Sequence, residues 1–165
     1  MAREPDSPLP IFERRLAPEF VRPCTTIDVA NVLASIPPEF LDRLTGVYLM
    51  GGTVKQARSR VLTHGIYWRD RIVLFPVPAR KLATGWTCAS SPAEIQRYRL
   101  FGADVQSGRR GTTVVFDAES LRRFYLYDVL LHEVGHHADQ QRRSRREAER
   151  FARWFADYQF AHRAT

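Results

Sequence analysis

Three residues near the carboxyl-terminal end of the chain have types and spacing that suit metal chemistry. His132, Glu133 and His136 form the pattern HExxH, with Val134 and Gly135 between them. Residues four apart lie on one face of a helix, so both imidazoles can reach a single metal ion while the glutamate lies beside that ion. The pattern is typical of a zinc site with two histidine ligands and a glutamate general base. The alternative is an ordinary helix whose histidines serve only the core or the surface.

A third protein ligand must come from outside this helix, because a catalytic zinc ion usually has three. The sequence predicts two helices joined by a turn near Arg143, and their antiparallel packing brings Glu149 near His136. Three other side chains remain as alternatives for this ligand: Glu147, His64 and His162.

The elements that position these residues follow from apolar periodicity and capping signals. We expect helices at 26–35, 39–44, 92–100, 117–141 and from 145 onward, and strands at 47–50, 65–68, 72–75 and 112–116. We expect a loop at 79–91 and a turn at 106–110. Residues 1–23 contain five prolines and predict a mobile leader with little regular structure, which could cover a cleft as a latency segment. A single domain over 24–165 follows.

The stretch from His132 to Asp157 resembles the active-site helix and the glutamate helix of gluzincin metallopeptidases. The segment 149–152, Glu-Arg-Phe-Ala, matches a Glu-x-Phe-Ala segment whose glutamate binds zinc in many such proteins. Arg153 stands where some gluzincins have an aspartate that supports a ligand histidine.

This resemblance implies a fold, a cofactor and an activity. The implied fold is α+β: a compact zincin-like, minigluzincin-like domain in which a small, mainly antiparallel sheet accompanies an HExxH active-site helix and a following glutamate helix. The implied cofactor is one Zn²⁺ per chain, with His132, His136 and Glu149 as metal ligands. The implied activity is hydrolysis of peptide bonds with Glu133 as the catalytic general base.

Spacing also suggests supporting roles. Asp128 lies one turn before His132, and Asp139 lies three residues after His136, so either carboxylate could orient a ligand imidazole. We expect His137 to be an exposed histidine. The group that stabilises the oxyanion is left open among three choices: Tyr125, Tyr158 and an arginine.

Composition limits the possible classes of protein. The 165 residues are 44% hydrophobic and 26% charged, which suits one globular domain. No apolar run reaches the length of a membrane span, and residues 1–10 hold no apolar signal core. The two cysteines, Cys24 and Cys88, are too few for a disulfide framework. We therefore expect a cytoplasmic protein without a membrane partner. The expected substrate, a peptide or protein, is what the resemblance to metallopeptidases implies.

The strong positive charge supports an alternative function. The net charge is +7, the pI is about 10, and the densest basic run is residues 142–146. The alternative is a nucleic-acid-associated protein, or a protease that acts on DNA-bound proteins through a basic surface. The simpler interpretation is an arginine-rich, well-solvated surface. A third class, an interaction protein with a degenerate site, is disfavoured because the HExxH residues are all intact.

Overall fold

The computed structural model describes residues 8–88, 91–109, 111–139 and 144–163, which form an α+β domain as the sequence predicts. The strands are β1 (Ile11–Glu13), β2 (Phe20–Val21), β3 (Gly46–Leu49), β4 (Gly65–Trp68), β5 (Arg71–Leu74), β6 (Val77–Pro78), β7 (Trp86–Cys88), β8 (Asp104–Gly108) and β9 (Gly111–Val115). The α-helices are α1 (Thr26–Ala34), α2 (Val54–Arg58), α3 (Ala79–Thr84), α4 (Pro92–Leu100), α5 (Ala118–Phe124), α6 (Leu131–Ala138) and α7 (Arg145–Ala161). A 3₁₀ turn spans Pro38–Leu41, where the sequence predicts a short helix, and a π-helical segment spans Tyr125–Leu130.

The largest sheet has four strands in the order β1-β3-β5-β4. β1 pairs with β3, and β3 pairs with β5, in parallel, whereas β4 and β5 form an antiparallel hairpin. The hairpin turns through Arg69 and Asp70, whose φ angles of 48° and 59° suit a tight two-residue connection. The expectation of a mainly antiparallel sheet is wrong for this sheet. The chain between β3 and β5 contains α2 and is long enough to return to the same end of the sheet, as parallel pairing requires.

Two smaller sheets are antiparallel, one formed by β2 and β6 and the other by β7, β9 and β8 in that order. The expected loop at 79–91 instead contains α3 and β7, and the expected turn at 106–110 is largely the end of β8. β8 carries mostly polar residues in exposed positions, so its sequence shows little apolar alternation.

The predicted mobile leader is a second departure from the sequence-based expectation. Residues 1–7 lie outside the described residues, but from Ile11 onward the segment contributes an edge strand to the four-stranded sheet. Phe20 is buried in the core, and Arg22 forms an ion pair with Glu13 at 3.2 Å. Prolines are tolerated here because β1 and β2 are short edge strands with few ladder hydrogen bonds to lose.

Capping residues set the helix boundaries. Asp117, Ser91 and Ser144 each cap a helix, as the sequence predicts, and each forms a capping box with the residue three positions later, although the sequence predicts the box itself only at Ser144. Thr25 rather than Thr26 caps the first helix. The expected helix from 117 to 141 is one continuous run, α5, the π-helical segment and α6, and it ends at Ala138, three residues before the expected end.

The core lies between the four-stranded sheet and this long helical run. Tyr125, Leu130 and Leu131 from the run are fully buried, as are Val47 and Ile72 from the sheet. Cys24 is a free thiol in the same cluster, and burial raises its pKa to about 12. No helix among the described residues is long and apolar enough to cross a membrane.

Candidate metal centre

The HExxH residues lie in α6, directly after the π-helical segment. The core side of this helix consists of the buried residues Leu131, Val134 and Gly135. His132 and His136 lie together on its other side. Their rings are perpendicular, with centroids 4.7 Å apart, and their Nε2 atoms are 3.1 Å apart. The helical spacing therefore aims both Nε2 atoms at one point.

Glu149 of α7 completes the group, as the antiparallel packing of the two helices predicts. Its Oε2 lies 3.2 Å from Nε2 of His132, and its Oε1 lies 3.6 Å from Nε2 of His136. The two histidine side chains are 14% and 19% exposed, whereas the Glu149 side chain is 52% exposed. The three side chains could hold a metal ion that is sheltered on the histidine side and open to solvent on the glutamate side.

The structure places the alternative third ligands elsewhere. The Glu147 carboxylate accepts hydrogen bonds from the backbone N–H and the hydroxyl of Ser144, at 3.0 Å and 2.6 Å, within the capping box of α7. His162 stacks on Tyr158 at the end of that helix. His64 packs among aromatic rings, and burial lowers its pKa to about 4. None of the three belongs to the group formed around Glu149.

A four-residue ionic network lies beside the metal-binding group. Asp128 lies in the turn before His132, and its side chain is 7% exposed. Its Oδ1 accepts hydrogen bonds from the guanidinium groups of Arg97 of α4, at 2.7 Å, and Arg153 of α7, at 2.5 Å. Arg97 also bonds Asp157 of α7, at 3.1 Å. The network ties α7 to the helix that carries the histidines, and Arg153 lies one turn after Glu149.

The suggested role of Asp128 as a partner of His132 is therefore wrong. Its carboxylate forms ion pairs with the two arginines, and Nδ1 of His132 is buried without a hydrogen-bond partner among the described residues. The pKa of His132 is lowered to about 3, first by burial and then by electrostatic interaction with Arg153, His136 and Arg97. The imidazole is consequently neutral at neutral pH and able to bind a metal through Nε2. Asp139 caps the end of α6, and its suggested role stays a prediction.

Glu133 is only 8% exposed, between α6 and the edge strand β4. Burial raises its pKa to about 7, and the backbone N–H of Tyr67 acts in the opposite direction because it favours the charged carboxylate. The absence of a side chain at Gly65 makes room for it: a Cβ there would lie 3.2 Å from Cγ of Glu133 and 2.7 Å from a methyl group of Val129. The sequence gives no signal for this strand contact beyond a glycine that opens a strand.

His137 and the tyrosines also differ from expectation. The His137 side chain is only 6% exposed, and its Nε2 donates to the carbonyl oxygen of Asp42 at 2.6 Å. The hydroxyl of Tyr125 donates to the carbonyl oxygen of Phe75 at 2.9 Å inside the core, so this tyrosine does not reach a substrate. Tyr158 stacks between Trp154 and His162 on the outer face of α7, nine residues beyond Glu149. Neither tyrosine is placed to stabilise an oxyanion.

Sequence reasoning missed the residues that position the group. Arg97 is separated from Asp128 by 31 residues, and no periodicity predicts that contact. In the sequence, Arg153 differs from the gluzincin pattern, and its place one turn after Glu149 is the only signal for an ion pair across the helix hairpin. The basic run at 142–146 lies partly outside the described residues, as does the turn expected near Arg143. Comparisons of the chain with protein-family models, curated proteins and solved structures found no significant match.

Proposed function

We propose that the protein is a zinc-dependent metallopeptidase with a compact, gluzincin-like domain. The observation that supports this most directly is the spacing of three ligand atoms. At a tetrahedral centre with metal–ligand distances of about 2.1 Å, neighbouring ligand atoms lie roughly 3.4 Å apart. The two Nε2 atoms of His132 and His136 lie 3.1 Å apart, and they lie 3.2 Å and 3.6 Å from Oε2 and Oε1 of Glu149, respectively. One ligand atom from each of the three side chains lies within 4.8 Å of the other two, so the group is compact enough to close around one ion.

The chemistry of these ligands favours zinc over a hard cation. Two neutral imidazoles and one carboxylate form a donor set typical of catalytic zinc, whereas calcium and magnesium prefer oxygen ligands alone. When bound, zinc would supply Lewis-acid chemistry that lowers the pKa of water toward neutrality and polarises a carbonyl group. The open side next to Glu149 leaves room for water and substrate.

Glu133 is the proposed general base. Its carboxyl group is buried, and its pKa of about 7 lies near the pH at which it would work. It would accept a proton from the attacking water and return that proton to the leaving amine. The backbone N–H of Tyr67 lowers the pKa of this carboxyl group and so favours its charged, proton-accepting form.

The edge strand β4 is the proposed support for an extended peptide. It ends the four-stranded sheet, so one row of its backbone groups has no strand partner. The backbone groups that face β5 are paired in the hairpin, and the carbonyl oxygen of His64 accepts a hydrogen bond from the N–H of Phe75. The backbone groups of Gly65 and Tyr67 therefore point to the outer side of the strand, next to Glu133. A peptide added along this edge would lie beside the base.

Metal content and peptide hydrolysis test the proposal together. The variants are Glu149→Gln, which removes a ligand, Glu133→Gln, which removes the base, and Glu147→Gln as a control on the same helix. We expect about one zinc per chain in the wild type, in Glu133→Gln and in Glu147→Gln, and weakened binding in Glu149→Gln by more than roughly 100-fold. We expect cleavage of fluorescence-quenched casein by the wild type and by Glu147→Gln only.

The two measurements separate the metal site from the activity. Zinc binding that is unchanged in Glu149→Gln would remove this glutamate from the site. If the wild type, Glu133→Gln and Glu147→Gln bind zinc but the wild type cleaves neither casein nor a mixed peptide library, the peptidase assignment is overturned. The metal site would then still stand.

One observation favours nucleic-acid association as a second candidate. The exposed side of α7 carries Arg150, Trp154 and Tyr158 at four-residue intervals, and the two aromatic rings are stacked 5.5 Å apart. Cationic and aromatic side chains in one row suit contacts with phosphates and bases. Retention on single-stranded DNA that falls with salt and is lost in Arg150→Gln/Trp154→Ala would support this candidate, whereas no retention at low salt would exclude it.

A further inference from the structure

A large cavity lies at the end of the four-stranded sheet where its parallel strands finish. β1, β3 and β5 run in the same direction, and the residues that follow each of them line the cavity: Arg14 and Arg15, Met50 to Thr53, and Phe75 and Pro76. Its volume is about 810 Å³, within the range of roughly 300–1,000 Å³ typical of small-molecule sites. None of His132, His136 and Glu149 lines it, so it is separate from the proposed metal centre.

The lining is positively charged. It includes Arg14, Arg15 and Lys55, and none of the described residues that line it is acidic. Another cavity, of about 520 Å³ beside α1, differs because Glu39 and Asp42 line it together with a single arginine. The charge is therefore a property of this cavity and not of every concave surface of a basic protein.

The three cations have no acidic partner in the described parts of the chain. Arg22, a nearby arginine in the sequence, differs from these three residues. Its guanidinium pairs with the carboxylate of Glu13 and donates a hydrogen bond to the carbonyl oxygen of Arg14, so it stabilises the fold. Among the described residues, no comparable ion pair or hydrogen bond involves the side chains of Arg14, Arg15 or Lys55. Three like charges around one concavity repel one another, and a bound anion would offset that repulsion.

The cavity wall is held in place by the chain itself. The ammonium group of Lys81 donates to the carbonyl oxygens of Ser59 and Arg60, at 2.9 Å and 3.2 Å, and Arg80 donates to that of Ala57 at 2.7 Å. These bonds fix the segment after α2 that closes one side.

The loop after β3 approaches the neighbouring backbone closely. A Cβ on Gly51 would lie 2.0 Å from the carbonyl oxygen of Arg15, and Gly52 has a φ of 85° and faces the ring of Phe20. Side chains at these two positions would displace the loop that carries Arg15. The loop geometry thus keeps the cationic side of the cavity in place.

We propose that this cavity binds a small organic phosphate, with its phosphate group at Arg14, Arg15 and Lys55 and its body against the apolar wall of Phe20, Met50 and Phe75. Three cations match a phosphate of charge near −2 better than a single carboxylate. Guanidinium groups form paired hydrogen bonds with phosphate oxygens, and lysine adds a point charge. The volume favours a molecule of nucleotide size over an inorganic ion.

Calorimetric titration of the full chain with AMP tests the site, with adenosine and citrate as comparison ligands. The variants are Arg15→Gln/Lys55→Gln and the matched control Arg99→Gln/Arg123→Gln, which removes two exposed charges on α4 and α5. We expect AMP to bind the wild type and the control with a Kd of about 1 mM or tighter, and the cavity variant at least tenfold more weakly. Adenosine and citrate should bind none of them detectably.

The other outcomes overturn the proposal. AMP that fails to bind the wild type, or binds both double variants equally, removes the site. Citrate binding without AMP binding assigns a carboxylate ligand instead. A ten-residue thymidine oligonucleotide that binds far more tightly than AMP, with the same loss in the cavity variant, assigns a nucleic-acid partner.

Lys55→Glu, on an exposed helix position, is a second variant that should abolish AMP binding, and its circular dichroism spectrum and thermal melt should match those of the wild type.

Discussion

Gly135 of α6 and Ala152 of α7 are in such close contact that a Cβ on Gly135 would lie 2.7 Å from Cα of Ala152. The same Cβ would lie 3.1 Å from Cβ of Phe155. Glu149 precedes Ala152 by three residues, and His132 and His136 flank Gly135, so this contact sets the distance between the glutamate and the histidines. The absence of a side chain at Gly135 is therefore coupled to the geometry of the proposed metal centre.

Gly135→Ala should destabilise the fold and weaken zinc binding. The contact atoms belong to the backbone of α7 and cannot rotate away, so the helices must separate, and overpacking of this kind costs about 1–3 kcal/mol. The higher helix propensity of alanine returns about 1 kcal/mol at most. Urea unfolding and zinc competition with a chelator measure the two effects. Gly108→Ala, where a Cβ meets only one atom at 3.8 Å, is the control and should change neither.

Asp128→Asn should destabilise the protein by about 3 kcal/mol, because it leaves two half-buried arginines without their shared carboxylate. It should also weaken zinc binding by roughly 10-fold, since Arg153 no longer ties α7 to the histidine helix. Asp157→Asn removes only an exposed partner of Arg97 and should cost under about 1 kcal/mol. Equal losses of stability in the two variants would show that the network does not act through Asp128.

Tyr125→Phe should lower stability by about 1–3 kcal/mol without changing the catalytic rate constant. The tyrosine hydroxyl donates to the carbonyl oxygen of Phe75 and lies 2.9 Å from Nδ1 of His64, so its loss leaves two polar groups in the core without a partner. Tyr158→Phe is the control and should be nearly neutral in urea unfolding. A large fall in kcat for Tyr125→Phe, with folding intact, would contradict the structural role and restore the tyrosine as an oxyanion candidate.

The ion pair between Asp28 and Arg122 predicts a pH-dependent contribution to stability. The guanidinium lies 2.7 Å from the carboxylate, and this hydrogen bond, reinforced by those from Thr25, lowers the pKa of Asp28 to about 2. A lowered carboxyl pKa stabilises the folded state above the unfolded value near 4, and the contribution is lost as the pH falls from about 4 to 2.

Asp28→Asn should therefore reduce the free energy of unfolding by about 1–2 kcal/mol at pH 6 and by less at pH 3. Urea titrations at both pH values measure the difference. Asp42→Asn removes an ion pair whose side chains are 69% and 86% exposed, and should have little effect at either pH. A deficit in Asp28→Asn that is as large at pH 3 as at pH 6 would argue against the ion pair as its cause.

Short-range features were predictable from the sequence because they depend on residues a few positions apart. The helix caps at Asp117, Ser91 and Ser144 form as the sequence predicts, and the four-residue interval of His132 and His136 is enough to place both on one helix face. The position of Glu149 followed from one further step, the antiparallel packing of two helices joined by a short connection.

The tertiary structure alone decided what depends on distant segments. The parallel pairing of β1 with β3, the two arginines at Asp128 and the contact of Tyr67 with Glu133 join residues between 25 and 66 positions apart. Apolar periodicity shows which face of an element is buried, but it does not show which other element covers that face. The sequence by itself therefore determined which residues could bind a metal, and packing determined which carboxylates are available to do so. Glu149 is at the histidines, while Asp128 is held by arginines because α4 and α7 converge on it.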